Sequence, residues 1–296
     1  FYNSYMDTES RNKAGTAQLG TYLTAFAQAQ TLDDLLDALY RCYRETGISL
    51  LYDFSPTVDD RDSNRHILAF TYAGISIEKD RLIEPLDTDI IDGLVEYLEY
   101  LLQFAGYSKA EAQKGAQLIL QYNLEMAPLE WDPQETYDVD KTYNLYSMSQ
   151  LQKLFPHIDL DVMRQVQGYH AEDTEQVVVN NPATLEFFAS RCSDEHLELL
   201  KAIVITNLAG GCSPFLTTEL NEKAHDFEDL CTGVQSDLSM EEHAYYYTRN
   251  ILSVEVNKHY ASSCSYKEKQ EVTEMIREMI EVFRARIDTL EWMSDA

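Results

Sequence analysis

Apolar residues recur at helical spacing through most of the chain. Thr31 opens one such segment: Leu32, Leu35, Leu36, Leu39 and Tyr43 share a face and Gly47 supplies a stop, so a capped amphipathic helix is predicted. The texture then changes. Ile48 to Phe54 and His66 to Ile77 are rich in Ile, Leu, Tyr and Phe, and the Pro, Asp and Asn between them read as a turn-rich connection, which predicts one small β-hairpin within 48–77. Ile90, Ile91, Leu94, Val95, Leu98, Leu101 and Leu102 resume the helical spacing until Gly106, and Ser108 with Glu111 forms the capping box of the next helix. These two helices are expected to pack as an antiparallel pair.

Further on, Ser147 with Gln150 is a second capping box, 176–179 is a short strand candidate, and Pro182, Ser193 and Pro214 sit near the starts of three more helices. Val272, Ile276, Met279, Phe283, Ile287 and Leu290 then form a long stripe that calls for a partner helix, with Phe283 expected to be buried against it. The chain opens mid-pattern at Phe1 and runs out at Trp292 and Met293 with no stop signal, so both ends read as cuts in a longer protein. No repeat of fixed period and no low-complexity linker marks a domain boundary, so residues 1–296 are expected to form one mainly α, multi-helical region containing the hairpin.

Composition narrows the partners. The 296 residues are 45% hydrophobic and include 20 Tyr, enough for a real core. Against 51 Asp and Glu stand 23 Lys and Arg, a net charge of -28 that repels phosphate backbones and anionic lipid, so no nucleic-acid partner is expected. An acidic surface serves solubility and can also favour cationic peptides. Five cysteines, at 42, 192, 212, 231 and 264, fit neither a zinc ribbon nor a fully paired disulfide set, and are read mostly as buried thiols. No apolar run reaches the roughly 20 residues of a membrane span, and the sequence assigns no compartment.

No familiar catalytic signature stands in the sequence. A zinc peptidase needs two imidazoles one helical turn apart with a carboxylate beside them, hence His-Glu-x-x-His. No His here is followed by Glu, and the seven histidines, at 66, 157, 170, 196, 225, 243 and 259, have no second His three or four residues away. Asp87 to Gly93 resembles a calcium loop, but its third acid and Gly fall one place late and Leu98 holds the twelfth position, so a helix start explains it better. Gly210-Gly211-Cys212-Ser213-Pro214 invites a nucleophile role for Cys212, yet no matched base accompanies it, and a loop with a helix-starting Pro is the simpler expectation. No catalytic, cofactor-binding or metal-binding residue is therefore assigned in this chain.

Several segments, in order, resemble the neprilysin and endothelin-converting enzyme family of zinc metallopeptidases. Phe1 to Asp7 is similar to the family's Phe-Tyr-x-Ser-Cys-Met-Asp, with Tyr5 where animal members have Cys. Tyr143 to Leu151 followed by Phe155 to Asp159 resembles its Tyr-Asn, x-x-Leu, Pro-x-Ile-Asp-Trp passage, with Leu160 replacing the Trp. Val177 to Pro182 resembles a strand running into a Pro-started helix, and Leu230 to Val234 with Tyr245 its Cys-x-x-x-Val and later Tyr. Ile276 to Met293, closing in Leu290-Glu291-Trp292-Met293, is similar to the long helix that leads out of the capping region. Asn123 stands where the family's Glu is expected near the end of the second paired helix.

The resemblance implies a helical cap facing a thermolysin-like catalytic half, the two enclosing a chamber that admits peptides and excludes folded proteins. That half, with its Asn-Ala-aromatic strand, His-Glu-x-x-His and bound zinc, is absent from this sequence; Ala244-Tyr245-Tyr246 is a decoy for the strand, since His243 replaces its Asn. The implied partners are the protein's own C-terminal catalytic domain and, through it, peptide substrates. The competing expectation is a stand-alone acidic helical binding module with a groove between the two helices spanning 88–125. A gene that continues past Ala296 into His-Glu-x-x-His separates the first from the second.

Overall fold

The computed structural model describes residues 1–170, 175–235, 238–287 and 289–290. The chain divides into two compact units, one of Thr8–Ser236 and one of Phe1–Asp7 with Asp237–Ala296. The first helix, α1 (Tyr2–Met6), belongs to the second of these.

The larger unit begins with α2 (Thr8–Ala14), α3 (Gly20–Gln28) and α4 (Leu32–Thr46). Helix α4 starts and stops where its side chains dictate: Thr31 and Asp34 form a reciprocal capping box, and Gly47 ends the helix at φ 73°, a left-handed conformation open to glycine. The predicted hairpin follows as β1 (Tyr52–Asp59) and β2 (Asp62–Tyr72), paired antiparallel from Tyr52↔Tyr72 to Asp59↔Asp62. Its turn is only two residues wide, so Pro56, expected in the connection, lies inside β1 instead. It is tolerated because β1 is an edge strand, where a missing N–H leaves no neighbour unpaired.

The hairpin is also not isolated. Strand β3 (Asn144–Ser147) was not expected, and with β4 (Gln176–Val179) it completes a four-stranded sheet in the order β1-β2-β4-β3. β4 runs parallel to β2 and antiparallel to β3.

Between and after the strands come α5 (Thr88–Phe104), α6 (Lys109–Met126), α7 (Val139–Thr142), α8 (Met148–Leu154), α9 (Leu160–Val166), α10 (Pro182–Arg191), α11 (Leu197–Cys212) and α12 (Thr218–Thr232). Asp87 caps α5, Ser108 and Glu111 box α6, Ser147 and Gln150 box α8, and Asn181 caps α10 behind its Pro182. Helices α5 and α6 pack together as expected. A Cβ at Gly115 of α6 would lie 2.7 Å from Leu102 Cδ1, so the absence of a side chain there lets the pair close.

The core sits between sheet and helices. Phe54 and Phe70 from the hairpin, Phe155 and Phe188 are all almost fully buried, with centroids 5.0 Å (Phe54–Phe70), 5.7 Å (Phe70–Phe155) and 5.9 Å (Phe155–Phe188) apart. Leu160, in the place of the family's Trp, is also fully buried. Helix α11 contributes eleven buried residues among its sixteen, including Lys201, whose ammonium pairs with Glu198 at 2.9 Å and donates to Ala29 O at 3.3 Å. Burying that charge is tolerable only because both contacts stand in for water.

The smaller unit packs α1 against α13 (Met240–Ile251), where buried Tyr5 lies 5.5 Å from the ring of Tyr247. It continues through α14 (Ser253–Ser263) to α15 (Tyr266–Ile287). Here one expectation fails. Helix α15 buries no residue, and Val272, Ile276, Met279 and Phe283 all face solvent, Phe283 at 68% exposure. The stripe exists but has no partner helix among the described residues, so periodicity foretold the apolar face and not its burial. Trp292 and Met293 lie outside the described residues.

Candidate functional site

The histidines weighed from the sequence lie on separate elements. His66, His157, His170 and His259 are exposed, while His196, His225 and His243 are half-buried on separate elements. Among the described residues no group of three or more His, Cys, Asp or Glu could hold a metal ion, and no residue of this chain is assigned to zinc. Asp87 is the cap of α5, accepting from Ile90 N and pairing with Arg81 at 2.7 Å. Ala244-Tyr245-Tyr246 lies within the helix α13 and not on a strand.

The Gly210 to Pro214 stretch differs from expectation. α11 continues through both glycines to Cys212, and Pro214 starts only a short 3-10 turn, Ser213–Phe215. Burial pushes the Cys212 thiol above its ordinary value, which keeps it protonated and a poor nucleophile. All five cysteines are free thiols; Cys42 and Cys192 are buried and the other three half-buried.

The largest built feature near these glycines is a cleft of about 560 Å³ in the larger unit, between residues 73–76, α5, α6, α11 and Phe227 of α12. Its floor is held by fully buried Asn123. That side chain accepts from Ser76 N at 3.0 Å and donates to Ser76 Oγ at 3.0 Å, while the neighbouring Tyr122 hydroxyl donates to Ala73 O. One wall is Tyr97, stacked on Phe227 at 5.1 Å and 18°. Opposite, Asn207 Nδ2 donates to Leu50 O at 2.9 Å. Among the described residues, no Asp, Glu, Lys, Arg or His lines the cleft.

Behind the Tyr97–Phe227 wall, a second hollow of about 340 Å³ between α5 and α12 has the opposite character, with Glu96, Glu99 and Asp226 around Tyr97, Tyr100 and Leu230. Burial, followed by the carboxylate of Glu219, pushes the Tyr100 phenol up to about 12.

A mainly α chain with a small mixed sheet, arranged in this way, has the fold of part of a metallopeptidase. It recurs in the zinc metalloprotease ZMP1 of Mycobacterium tuberculosis in complex with an inhibitor (TM-score 0.84, 23% identity, 99% of this chain and 45% of that one). It recurs also in PEPO from Lactobacillus rhamnosis (TM-score 0.79, 17% identity, 100% and 47%). The chain belongs to peptidase family M13, whose sequence profile matches residues 1–296. A neutral endopeptidase of Lactococcus lactis is 22% identical over 298 residues, 99% of this chain and 47% of the relative, and Neprilysin-2 of Drosophila melanogaster is 19% identical over 268 residues, 85% and 35%. The chain thus spans about half or less of the length of the curated relatives it matches.

Proposed function

We propose that this chain is the non-catalytic helical portion of a neprilysin-like zinc endopeptidase, a wall of the chamber that admits peptides and keeps folded proteins out. The observation that carries the reading is the family match over all of 1–296, set beside the 47% of the lactococcal endopeptidase that the same residues cover. The fold supports it: the larger unit is a densely buried body suited to a wall, and the exposed apolar faces of the smaller unit leave surface for further protein. The catalytic groups and the zinc belong, on this reading, to sequence outside this chain, and its acidic surface biases which peptides approach.

The test is a paired assay. The 296-residue chain alone is expected to leave a fluorogenic peptide intact and to hold far less than one zinc per chain by plasma mass spectrometry. The longer protein that contains it is expected to cut the peptide while sparing a folded protein of similar sequence content. Peptide cleavage by the chain alone, or tightly held stoichiometric zinc, overturns the proposal.

A further inference from the structure

We infer that the hollow where the turn between α5 and α6 meets α11 is a binding site for a small monocarboxylate, held by the N–H that the buried Lys201 ammonium has to spare. The inference is separate from the walling role and does not rest on peptides reaching this chain.

The hollow, of about 360 Å³, lies within the larger unit. Buried Lys201 and Ala202 of α11 form its floor, and exposed Glu111, Lys114 and Glu198 stand at its mouth.

Three observations carry the inference. The first is an unfilled donor. An ammonium has three N–H groups, and a buried one left without an acceptor is costly. Lys201 is 6% exposed and spends two of its three, on Glu198 at 2.9 Å and on Ala29 O at 3.3 Å. The third has no acceptor among the described residues, and because Lys201 lines the hollow, a ligand there can supply one.

The second is that the other spare groups are donors too. Neither Lys114 Nζ nor the Tyr107 hydroxyl has a partner among the described residues. Burial, followed by the carboxylates of Glu198 and Glu111, pushes the Tyr107 phenol up to about 12, so it stays protonated and able to donate. The acceptors, in contrast, are engaged. Glu198 holds Lys201, and Glu111 holds Ser108 N at 2.9 Å and Ser108 Oγ at 2.6 Å. What complements this set is a ligand that brings an acceptor.

The third is the count of charges. Two ammoniums stand beside two carboxylates, so the hollow is neutral as a whole on a chain of net charge -28. One negative charge can be set against Lys201 and Lys114. A second, as on phosphate, meets Glu111, Glu198 and the field of the whole chain. A carboxylate carries one charge, and Leu118 and Ala202 offer apolar wall to a short aliphatic tail.

The test titrates the ¹⁵N-labelled 296-residue chain with propanoate, and with propanamide and inorganic phosphate as comparisons. Propanoate is expected to bind and to shift the amides of Tyr107, Gly115, Lys201 and Ala202, while propanamide and phosphate bind at least about tenfold more weakly. Lys201→Met keeps the length of the side chain and removes the ammonium, an exchange that buried ions often tolerate. It is expected to weaken propanoate about tenfold or more, and Lys114→Gln about threefold. No binding of propanoate, shifts confined to other parts of the chain, equal binding of propanamide or phosphate, or unchanged binding by Lys201→Met overturns the inference. Should Lys201→Met unfold, Lys114→Gln and Tyr107→Phe decide, since neither position is buried: unchanged binding in both overturns it, and weakened binding supports it.

Discussion

Helices α11 and α15 carry the same kind of sequence signal and meet opposite fates. Both have apolar residues at spacings of three and four, yet α11 buries eleven of its sixteen residues while α15, at twenty-two, buries none. In α11 the apolar positions run almost all round, with Leu199, Leu200, Ile203, Val204 and Ile205 in contact with neighbours on several sides. α15 has one stripe backed by Glu, Lys and Arg, and that stripe is open. A continuous apolar circumference can be satisfied only by burial. A single stripe announces an interface without naming the partner, and in this chain the partner is not among the described residues.

The largest expected effect sharpens that contrast. Phe188→Ala, in the aromatic cluster of the larger unit, should destabilise the chain by about 3–5 kcal/mol in urea unfolding, the cost of truncating a fully buried ring. Next, Gly115→Ala places a methyl 2.7 Å from Leu102 Cδ1, and because Leu102 is fully buried its side chain has to shift against its neighbours. A loss of about 1–3 kcal/mol in the same assay is expected, and an unchanged midpoint would show that α5 and α6 can separate freely. Ser108→Ala, which removes the cap of α6, should cost about 1 kcal/mol. The equivalent Ser239→Ala in the smaller unit should lower hydrogen-exchange protection within α13 and leave α6 untouched.

A pH effect follows from the same caps. Hydrogen bonds from the Ser108 hydroxyl and backbone N–H hold the Glu111 carboxyl below its ordinary value. Ser239 does the same for Glu242, through its backbone N–H first. A lowered folded-state pKa contributes stability that is fully present above the unfolded value of about 4.3 and is lost as the pH falls through the folded value. The urea midpoint should therefore drop on acidification below that range. Glu111→Gln, which keeps a capping side chain but cannot titrate, should show a smaller drop. Smallest of all is the effect expected at the exposed stripe: Phe283→Ala should change stability by no more than about 0.5 kcal/mol. A loss there as large as at Phe188 would break the contrast between the two helices.

Much of the local structure was legible. Thr31 and Gly47 mark the ends of α4, and the Ser108–Glu111 and Ser147–Gln150 boxes start α6 and α8 because the capping groups are three residues from their targets. The Ser239–Glu242 box, of the same spacing, was there to be read and was missed. The ordered segments shared with the zinc metallopeptidases pointed to the family that the profile match then established. β3 escaped because Asn144–Ser147 is too short for a period of two to show, and it is held in place by β4, some thirty residues away. Gly210 and Gly211 read as a loop because glycine weakens a helix locally, but the packing of Leu208 and Ala209 carries α11 through them.

Sequence alone therefore determined where several of the helices lie and begin, which of their faces are apolar, and that no histidine pair of metal-binding spacing exists. Tertiary structure alone decided which apolar faces are covered, that the hairpin joins a four-stranded sheet, and that residues near 48, 75, 97, 122 and 207 enclose one uncharged cleft. The division has a physical cause. Caps, turns and periodicity act across three or four residues, within reach of a side chain, whereas burial and clefts are set by groups more than a hundred positions apart, whose meeting no local pattern encodes.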